Sequence, residues 1–238
     1  LIATSWPAPW DAALSGRNAL CLMPFQPMHL RALTELTPFA ATAPATLDRA
    51  ADLMVRIGRA PVLLAAGRPS PGLALLDALQ AEADRLMLEG ATPWEVDEAM
   101  TAHGFDLGRY EAEDLIGLDH GYARRRAAGV PRTGKGHVHI ADRAVEEGRL
   151  GKKIGWGWYR YPGGGGAVID PLVEDLAREE ARFAGIEART LTQADITERL
   201  MATLARTCAH LDLDRDTLAT VLVHGLGFPR ARLDQVLG

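Results

Sequence analysis

The chain has 238 residues, 47% hydrophobic and 24% charged, which is typical of a globular protein long enough to bury a core. Its formal net charge of −5 excludes a broad electrostatic attraction to nucleic acid or to an anionic membrane surface. The two cysteines, Cys21 and Cys208, describe no disulfide framework, which predicts a reducing, cytoplasmic location. No apolar run approaches the roughly 18 residues of a membrane span, and the N-terminal residues lack a signal peptide's basic region.

Residues 1–66 alternate between short apolar runs and one helical pattern, which predicts an α/β segment. The helix is predicted at Thr46–Ile57, where apolar side chains recur at helical spacing and Gly58 suits the C-terminal end. Strands are predicted at Leu1–Thr4, Ala19–Met23, Leu30–Leu36 and Pro61–Ala66.

After residue 72 the pattern becomes helical. Thr92 is a predicted N-cap, since proline follows it and Glu95 stands three residues later. The glycine run at 163–166 predicts a flexible linker, so the domains are predicted as 1–67, 68–167 and 168–238. The other predicted helices are Leu73–Glu89, Arg109–Ala128, His139–Glu147, Asp170–Phe183, Thr192–Leu211 and Asp214–Val223.

A basic, glycine-punctuated segment with four aromatic residues covers Gly148–Tyr161; we call it the aromatic arm. Its aromatic residues are Trp156, Trp158, Tyr159 and Tyr161. The main interpretation is a segment that closes a helical domain by burying these rings. The alternative is an arm that stacks on RNA or a nucleotide, because basic residues interleaved with aromatics can do that.

Three further patterns are interpreted as structural or solvated. His137 and His139 flank Val138 and could chelate a metal, but spacing identifies no third ligand, which favours a solvated loop. Ser15 and Ser70 lack a nucleophile elbow. Acidic residues predicted on solvated helix faces, rather than as a catalytic carboxylate pair, are Glu95, Asp97, Glu98, Glu111, Glu113 and Asp114.

The aromatic arm resembles the G-R-x-G-x-K-T-G-x-G-F/W-Y-x-Y signature of 3-hydroxyacyl-CoA dehydrogenases. Other segments resemble that family in the same order: Leu1–Ser5, Cys21–Leu36, Leu86–Met100, Phe105–Asp119 and Gly225–Arg230. The resemblance implies a mixed α/β and all-α fold: a truncated Rossmann-like segment followed by two mainly α-helical domains of the 6-phosphogluconate dehydrogenase C-terminal type. Residues 1–67 would be the distal part of an NAD-binding domain, without its glycine-rich loop.

The family oxidises 3-hydroxyacyl-CoA with NAD in fatty-acid β-oxidation, using a histidine base that a glutamate orients. The resemblance places Glu35 at the glutamate and Met23 at the catalytic histidine. His29 could substitute only if its strand were re-registered. The family's substrate-positioning serine aligns with Pro7, one asparagine with Ser5 and the other with Leu76; Arg109 replaces a family proline.

These residues leave two functions open. The chain is either part of an enzyme that works with a separate NAD-binding half, or a non-catalytic relative retained for acyl-CoA binding, dimerisation or complex assembly. Met23, Pro7 and Leu76 favour the second for this chain alone. NAD is the family's cofactor, but no cofactor is expected here, because no G-x-G-x-x-G occurs between a strand and a helix.

The expected partners are an acyl-CoA substrate and either a second copy or a missing NAD-binding half, with no nucleic acid and no membrane. Lys152 and Lys153 are candidate contacts to a CoA phosphate. A homodimer is predicted to use the apolar helix face at Leu79, Ala83 and Leu86.

Overall fold

A four-stranded mixed sheet carries the N-terminal part of the chain in the computed structural model, which describes residues 2–3, 14, 16–134 and 137–238. Its strands, in spatial order, are β1 (Ile2–Ala3), β2 (Leu20–Pro24), β3 (Leu33–Pro38) and β4 (Ala60–Leu63). β1 and β2 are parallel, β2 and β3 antiparallel, and β3 and β4 parallel. Helix α1 (Pro44–Arg56) connects the parallel pair β3 and β4, which a tight turn cannot join.

The core of this part lies between α1 and the sheet. Leu20 and Leu22 on β2, Leu36 on β3, and Ala50 and Met54 on α1 form one buried cluster. Alternation along β2 and the helical spacing along α1 direct these side chains to a common interior. The apolar runs of β2 and β3 therefore form strands that bury one face under the helix.

The remaining described helices are α2 (Pro71–Leu88), α3 (Pro93–His103), α4 (Arg109–Ile116), α5 (Leu118–Ala127), α6 (Ile140–Glu146), α7 (Leu172–Ala184), α8 (Gln193–His210), α9 (Arg215–Val221) and α10 (Asp234–Leu237). A π-helical turn at Leu222–Leu226 follows α9, and 3-10 turns cover Lys152–Ile154, Pro162–Gly164 and Arg230–Arg232. Two-stranded ribbons pair β5 (Thr133–Gly134) with β6 (His137–Val138), and β7 (Tyr159–Arg160) with β8 (Val168–Ile169). The predicted mixed α/β and all-α class is confirmed. Of the described helices, none is long and apolar enough to cross a membrane.

The chain forms two compact units: Leu1–Leu76 with Thr207–Gly238, and Asp77–Arg206. Within the first, the C-terminal π-helical turn packs on β3. Gly225 permits this approach, because an added Cβ there would lie 2.6 Å from Leu33 Cδ2. These units divide the chain at Leu76 and Arg206. The division into three domains at residues 67 and 167 stays a prediction.

The predictions of one continuous helix and of one flexible linker were wrong. The single helix at Arg109–Ala128 is interrupted by Gly117, whose φ of 105° is a left-handed conformation that disfavours other residues. The glycine run is not a linker between domains but the loop of the β7–β8 hairpin. A buried ion pair, Arg149 Nη1 to Asp170 Oδ2 at 2.8 Å, holds the segment that follows this loop.

The apolar face predicted for a homodimer was also assigned wrongly. Leu79, Ala83 and Leu86 are all buried within this chain, at 1%, 0% and 0% exposure. A side chain already covered by its own chain offers no surface to a second copy. The homodimer itself stays a prediction without this face to carry it.

Candidate functional site

Met23 and Glu35 face each other across the antiparallel pair β2 and β3. The eleven residues between them form the ends of both strands and a turn, so the chain returns with these two residues in register. His29 lies in the exposed turn beyond β2 and is not in that register. The structure therefore brings Met23, and not His29, next to the glutamate.

Glu35 is buried, with 1% of its surface exposed, and it anchors the start of α2. Its Oε1 accepts a hydrogen bond of 2.9 Å from the backbone N–H of Gly72. That N–H is one of the four that the first turn of a helix leaves without an intrahelical acceptor. A Cβ on residue 72 would lie 2.3 Å from Phe25 Cζ and 3.0 Å from Glu35 Oε1, so glycine is required for this approach.

Burial raises the pKa of Glu35 above its ordinary value, and the Ser70 hydroxyl and the Gly72 N–H oppose this rise. Ser70 also accepts a 2.9 Å hydrogen bond from the N–H of Leu73, a second donor of the same helix start. Oε2 of Glu35 has no hydrogen-bond partner among the described residues. The carboxyl group is thus held at one oxygen only, in a site where its charged form is disfavoured.

Leu76 lies one helical turn after Gly72 on α2, so it occupies the same helix face. It is partly buried, and its hydrocarbon side chain can form no hydrogen bond to a substrate oxygen. Ser5 and Pro7 lie outside the described residues. Of the described residues at the positions of the family's dyad and asparagine, Glu35 is therefore ionisable, whereas Met23 and Leu76 are apolar.

Lys152 and Lys153 lie in the unit Asp77–Arg206, on the 3-10 turn of the aromatic arm. Lys153 forms an ion pair with Asp119. The Lys152 ammonium lies 5.3 Å from the centre of the Tyr161 ring, within range of a cation–π interaction. Both amines thus have partners in their own unit, and a role in phosphate binding stays a prediction.

The acidic residues predicted to be solvated include three that are buried: Asp97, Glu113 and Asp114, at 7%, 5% and 1% exposure. This part of the prediction was wrong, because these carboxylates receive the aromatic arm. Asp114 accepts hydrogen bonds from the N–H of Trp158 at 2.8 Å, the N–H of Tyr159 at 2.9 Å and the hydroxyl of Tyr161 at 3.0 Å.

Asp97 and Glu113 complete this arrangement. Asp97 accepts from the backbone N–H groups of Tyr110 and Glu111 and from the Tyr159 hydroxyl, each at 2.9 Å. Glu113 accepts from the Trp158 indole N–H at 2.8 Å. One signal in the sequence could have found Asp97: it lies four residues after Pro93, on the buried face of α3.

Burial of Trp158, Tyr159 and Tyr161, at 0%, 6% and 2% exposure, confirms that the arm closes a helical core. Rings enclosed in this way present no faces on which bases could stack. Trp156 differs, since 38% of it is exposed, with the Arg149 guanidinium 4.9 Å from its ring centre.

Metal-ligating side chains do not cluster in the part of the chain that the structure describes, where no group of three or more could hold an ion. His139 Nδ1 lies 3.9 Å from Asp84 Oδ2. The side chain of His137 lies outside the described atoms, so the paired-histidine hypothesis is not tested as a whole.

Comparison with known proteins places this architecture in a family. Residues 74–161 match the family model described as 3-hydroxyacyl-CoA dehydrogenase, C-terminal domain. The chain is 30% identical over 227 residues to the peroxisomal bifunctional enzyme of Danio rerio, and this match covers 87% of this chain and 32% of that protein. It is 28% identical over 169 residues to the fatty acid oxidation complex subunit alpha of a Shewanella strain, covering 69% and 23% of the two.

The solved dehydrogenase part of multifunctional enzyme 1 from C. elegans has the same fold, with a TM-score of 0.67 at 20% identity over 95% of this chain and 54% of that one. The chain spans about a third of the length of the first of these curated relatives. Residues 74–161 therefore belong to the 3-hydroxyacyl-CoA dehydrogenase C-terminal domain family, and the chain around them is similar to proteins that carry this domain.

Proposed function

We propose that this chain is the acyl-CoA-handling part of a 3-hydroxyacyl-CoA dehydrogenase-like protein of fatty-acid β-oxidation, and that it is inactive by itself. The observation that carries the proposal is Met23, a thioether, in register with the buried Glu35. A methionine sulfur cannot take the hydroxyl proton that must leave when a hydroxyacyl group is oxidised. The carboxyl group already holds the start of α2 through Gly72.

The residues present do not fit the family's cofactor, NAD. In the described strand–helix units, the segment 39–43 that leads into α1 has no glycine. The segment 64–70 that leads into α2 has one, Gly67. A dinucleotide pyrophosphate needs several glycines at such a turn so that backbone N–H groups can approach it. The described residues of this chain therefore supply no site for NAD chemistry.

Leu76 favours the second candidate function, a non-catalytic relative that keeps the fold for acyl-CoA binding, dimerisation or complex assembly. An aliphatic side chain at the asparagine position can pack against an acyl group but cannot orient its oxygen. A cytoplasmic location also stays a proposal, since one similar relative is named as peroxisomal.

The decisive experiment restores the histidine in this chain joined to a complete nucleotide-binding half from an active family member. Met23→His should raise NADH-dependent reduction of acetoacetyl-CoA by at least about 10²-fold, the lower range for general acid–base catalysis. Met28→His is the matched control, because Met28 is 56% exposed in the turn beyond β2 and should leave the rate unchanged. If the unsubstituted joined protein is already active and Met23→His does not improve it, the base lies elsewhere and the proposal is wrong.

Titration calorimetry tests the cofactor part separately. The chain alone should show no binding of NADH. A dissociation constant for NADH below about 100 μM, which corresponds to a binding free energy of roughly 5.5 kcal/mol, would contradict this prediction. Binding of a short acyl-CoA to the chain alone separates an acyl-CoA-handling role from a purely assembly role.

A further inference from the structure

A cluster of polar side chains is buried in the unit Asp77–Arg206, away from Glu35 in sequence; we call it the Asp84 cluster. Its members are Gln80, Asp84, Arg109, Tyr110 and Glu113. Asp84 is 2% exposed and Tyr110 0%. Gln80 and Glu113 are each 5% exposed. The proposed function uses none of these groups.

Asp84 receives too few hydrogen bonds for a buried anion. Its Oδ1 accepts one, of 2.7 Å, from the Gln80 side-chain amide, and its Oδ2 has no hydrogen-bond partner among the described residues. Asp97 and Asp114 are buried to a similar degree, and each accepts three hydrogen bonds from N–H or O–H donors. An ionised carboxylate removed from water needs such donors, and Asp84 lacks them.

The charges facing Asp84 do not replace these donors. Glu113, from α4, adds a second negative charge. The Arg125 guanidinium, from α5, donates through Nε to Asp142 at 2.8 Å, and Arg109 Nη2 lies 3.9 Å from Glu113 Oε1.

Two further titratable groups face the same carboxyl group. His139 Nδ1, just before α6, lies 3.9 Å from Asp84 Oδ2. The Tyr110 hydroxyl has no hydrogen-bond partner among the described residues, and its pKa is raised first by burial and then by the charge of Asp84.

We propose that Asp84 is a neutral carboxylic acid in the folded protein at mildly acidic pH, and that the unit Asp77–Arg206 becomes less stable as the pH rises from acidic values to neutrality. Protonation removes the buried negative charge and allows Oδ2 to donate a hydrogen bond. Gln80 still donates to Oδ1, so the neutral form keeps the one hydrogen bond observed.

The direction of the pH effect follows from proton linkage. Burial, and then the charge of Glu113, raise the pKa of Asp84 from 3.8 to about 7. The folded state therefore holds the proton more tightly than the unfolded state. The stability that this proton supplies is fully present below the ordinary pKa and decreases between it and the raised value.

The test compares Asp84→Asn with Asp114→Asn by urea unfolding of the whole chain at pH 5 and pH 8. Asparagine resembles a neutral aspartic acid, so Asp84→Asn should raise the unfolding midpoint at pH 8 and reduce the difference between the two midpoints. Asp114→Asn should lower the midpoint at both values, because its amide NH₂ would face N–H and O–H donors. The proposal is overturned if Asp84→Asn lowers the pH 8 midpoint as Asp114→Asn does, or leaves the pH difference unchanged.

Infrared spectroscopy measures the protonation state of the carboxyl group directly. Burial also raises the pKa of Asp97 to about 6 and that of Asp114 to about 7, so the band of Asp84 is identified by comparison with Asp84→Asn. With ¹³C at the aspartate carboxyl groups, the carbonyl band of a protonated carboxylic acid at pH 6 should be stronger in the unsubstituted protein than in folded Asp84→Asn, and this difference should disappear at pH 8.5. Equal bands at pH 6 would overturn the proposal.

Discussion

Replacing Trp158 by alanine is the most direct test of how the aromatic arm holds the unit Asp77–Arg206 together. The indole is fully buried, with its ring 4.8 Å from that of Tyr110 in an edge-on arrangement at 64°. Its Nε1–H donates to Glu113 Oε2 at 2.8 Å. The substitution therefore removes a large apolar volume and the donor to a buried carboxylate at once.

The two losses can be estimated separately. Truncating a buried tryptophan or phenylalanine to alanine costs about 3–5 kcal/mol. Leaving Glu113 Oε2 without its donor adds about 1–3 kcal/mol. Because whole domains are stable by only about 5–15 kcal/mol, Trp158→Ala should bring this unit close to unfolding at room temperature. Trp158→Phe retains most of the packing and should show mainly the smaller loss.

Trp156→Ala is the matched control within the same arm. Trp156 is 38% exposed, and the Arg149 guanidinium lies over its ring in a cation–π interaction worth about 0.5–1 kcal/mol at such a site. In urea unfolding followed by far-UV circular dichroism, a slope of about 2–3 kcal/mol/M converts the Trp158→Ala cost into a midpoint shift above about 1 M. Equal midpoints for Trp158→Ala and Trp156→Ala would refute the assignment of the arm as a core-closing segment.

Two further substitutions test local packing and capping. Gly72→Ala places a methyl group 2.3 Å from Phe25 Cζ, so it should destabilise the protein by about 1–3 kcal/mol in thermal unfolding. Gly16→Ala is the control and should be near neutral, because an added Cβ there meets nothing within 4 Å. Thr92→Ala removes the hydroxyl that accepts from Glu95 N–H at 3.3 Å and should cost about 1 kcal/mol in urea unfolding; an unchanged midpoint would show that this cap contributes nothing.

Local patterns were sufficient where neighbouring residues decide the structure. The capping box at Thr92 and Glu95 forms as predicted, because both partners lie within one helical turn. The pairing of Met23 with Glu35 was implied by resemblance, and it follows physically from a short turn between two apolar runs. Such features depend on spacing alone, and spacing is visible in the sequence.

Patterns failed where a distant partner decides the outcome. A glycine run has the same composition in a linker and in a hairpin loop, and here pairing of Tyr159 with Ile169 makes it a loop. Asp114 has the composition of a solvated helix residue, yet its donors come from Trp158 and Tyr161 more than forty positions later. The sequence shows a charge, and only the fold shows whether donors surround it.

Glu35 illustrates how a residue of a catalytic dyad can remain useful without its histidine. We expect Glu35→Gln to change the free energy of unfolding by no more than about 1 kcal/mol, because the amide oxygen still accepts from Gly72 N–H and the buried charge is gone. Glu35→Ala should cost about 2–4 kcal/mol, since it leaves that N–H unpaired and opens a cavity beside Phe25.

The pH dependence of the same variants separates an anchor from a working base. The pKa of Glu35 is raised above 4.5, so the folded protein loses stability as the pH rises past that value, and Glu35→Gln should remove this decrease in urea unfolding. If Glu35→Gln instead destabilises the protein as much as Glu35→Ala, the negative charge itself is needed. A charge that the fold needs beside Met23 would indicate a cationic or proton-donating partner at this site, which a helix anchor does not require.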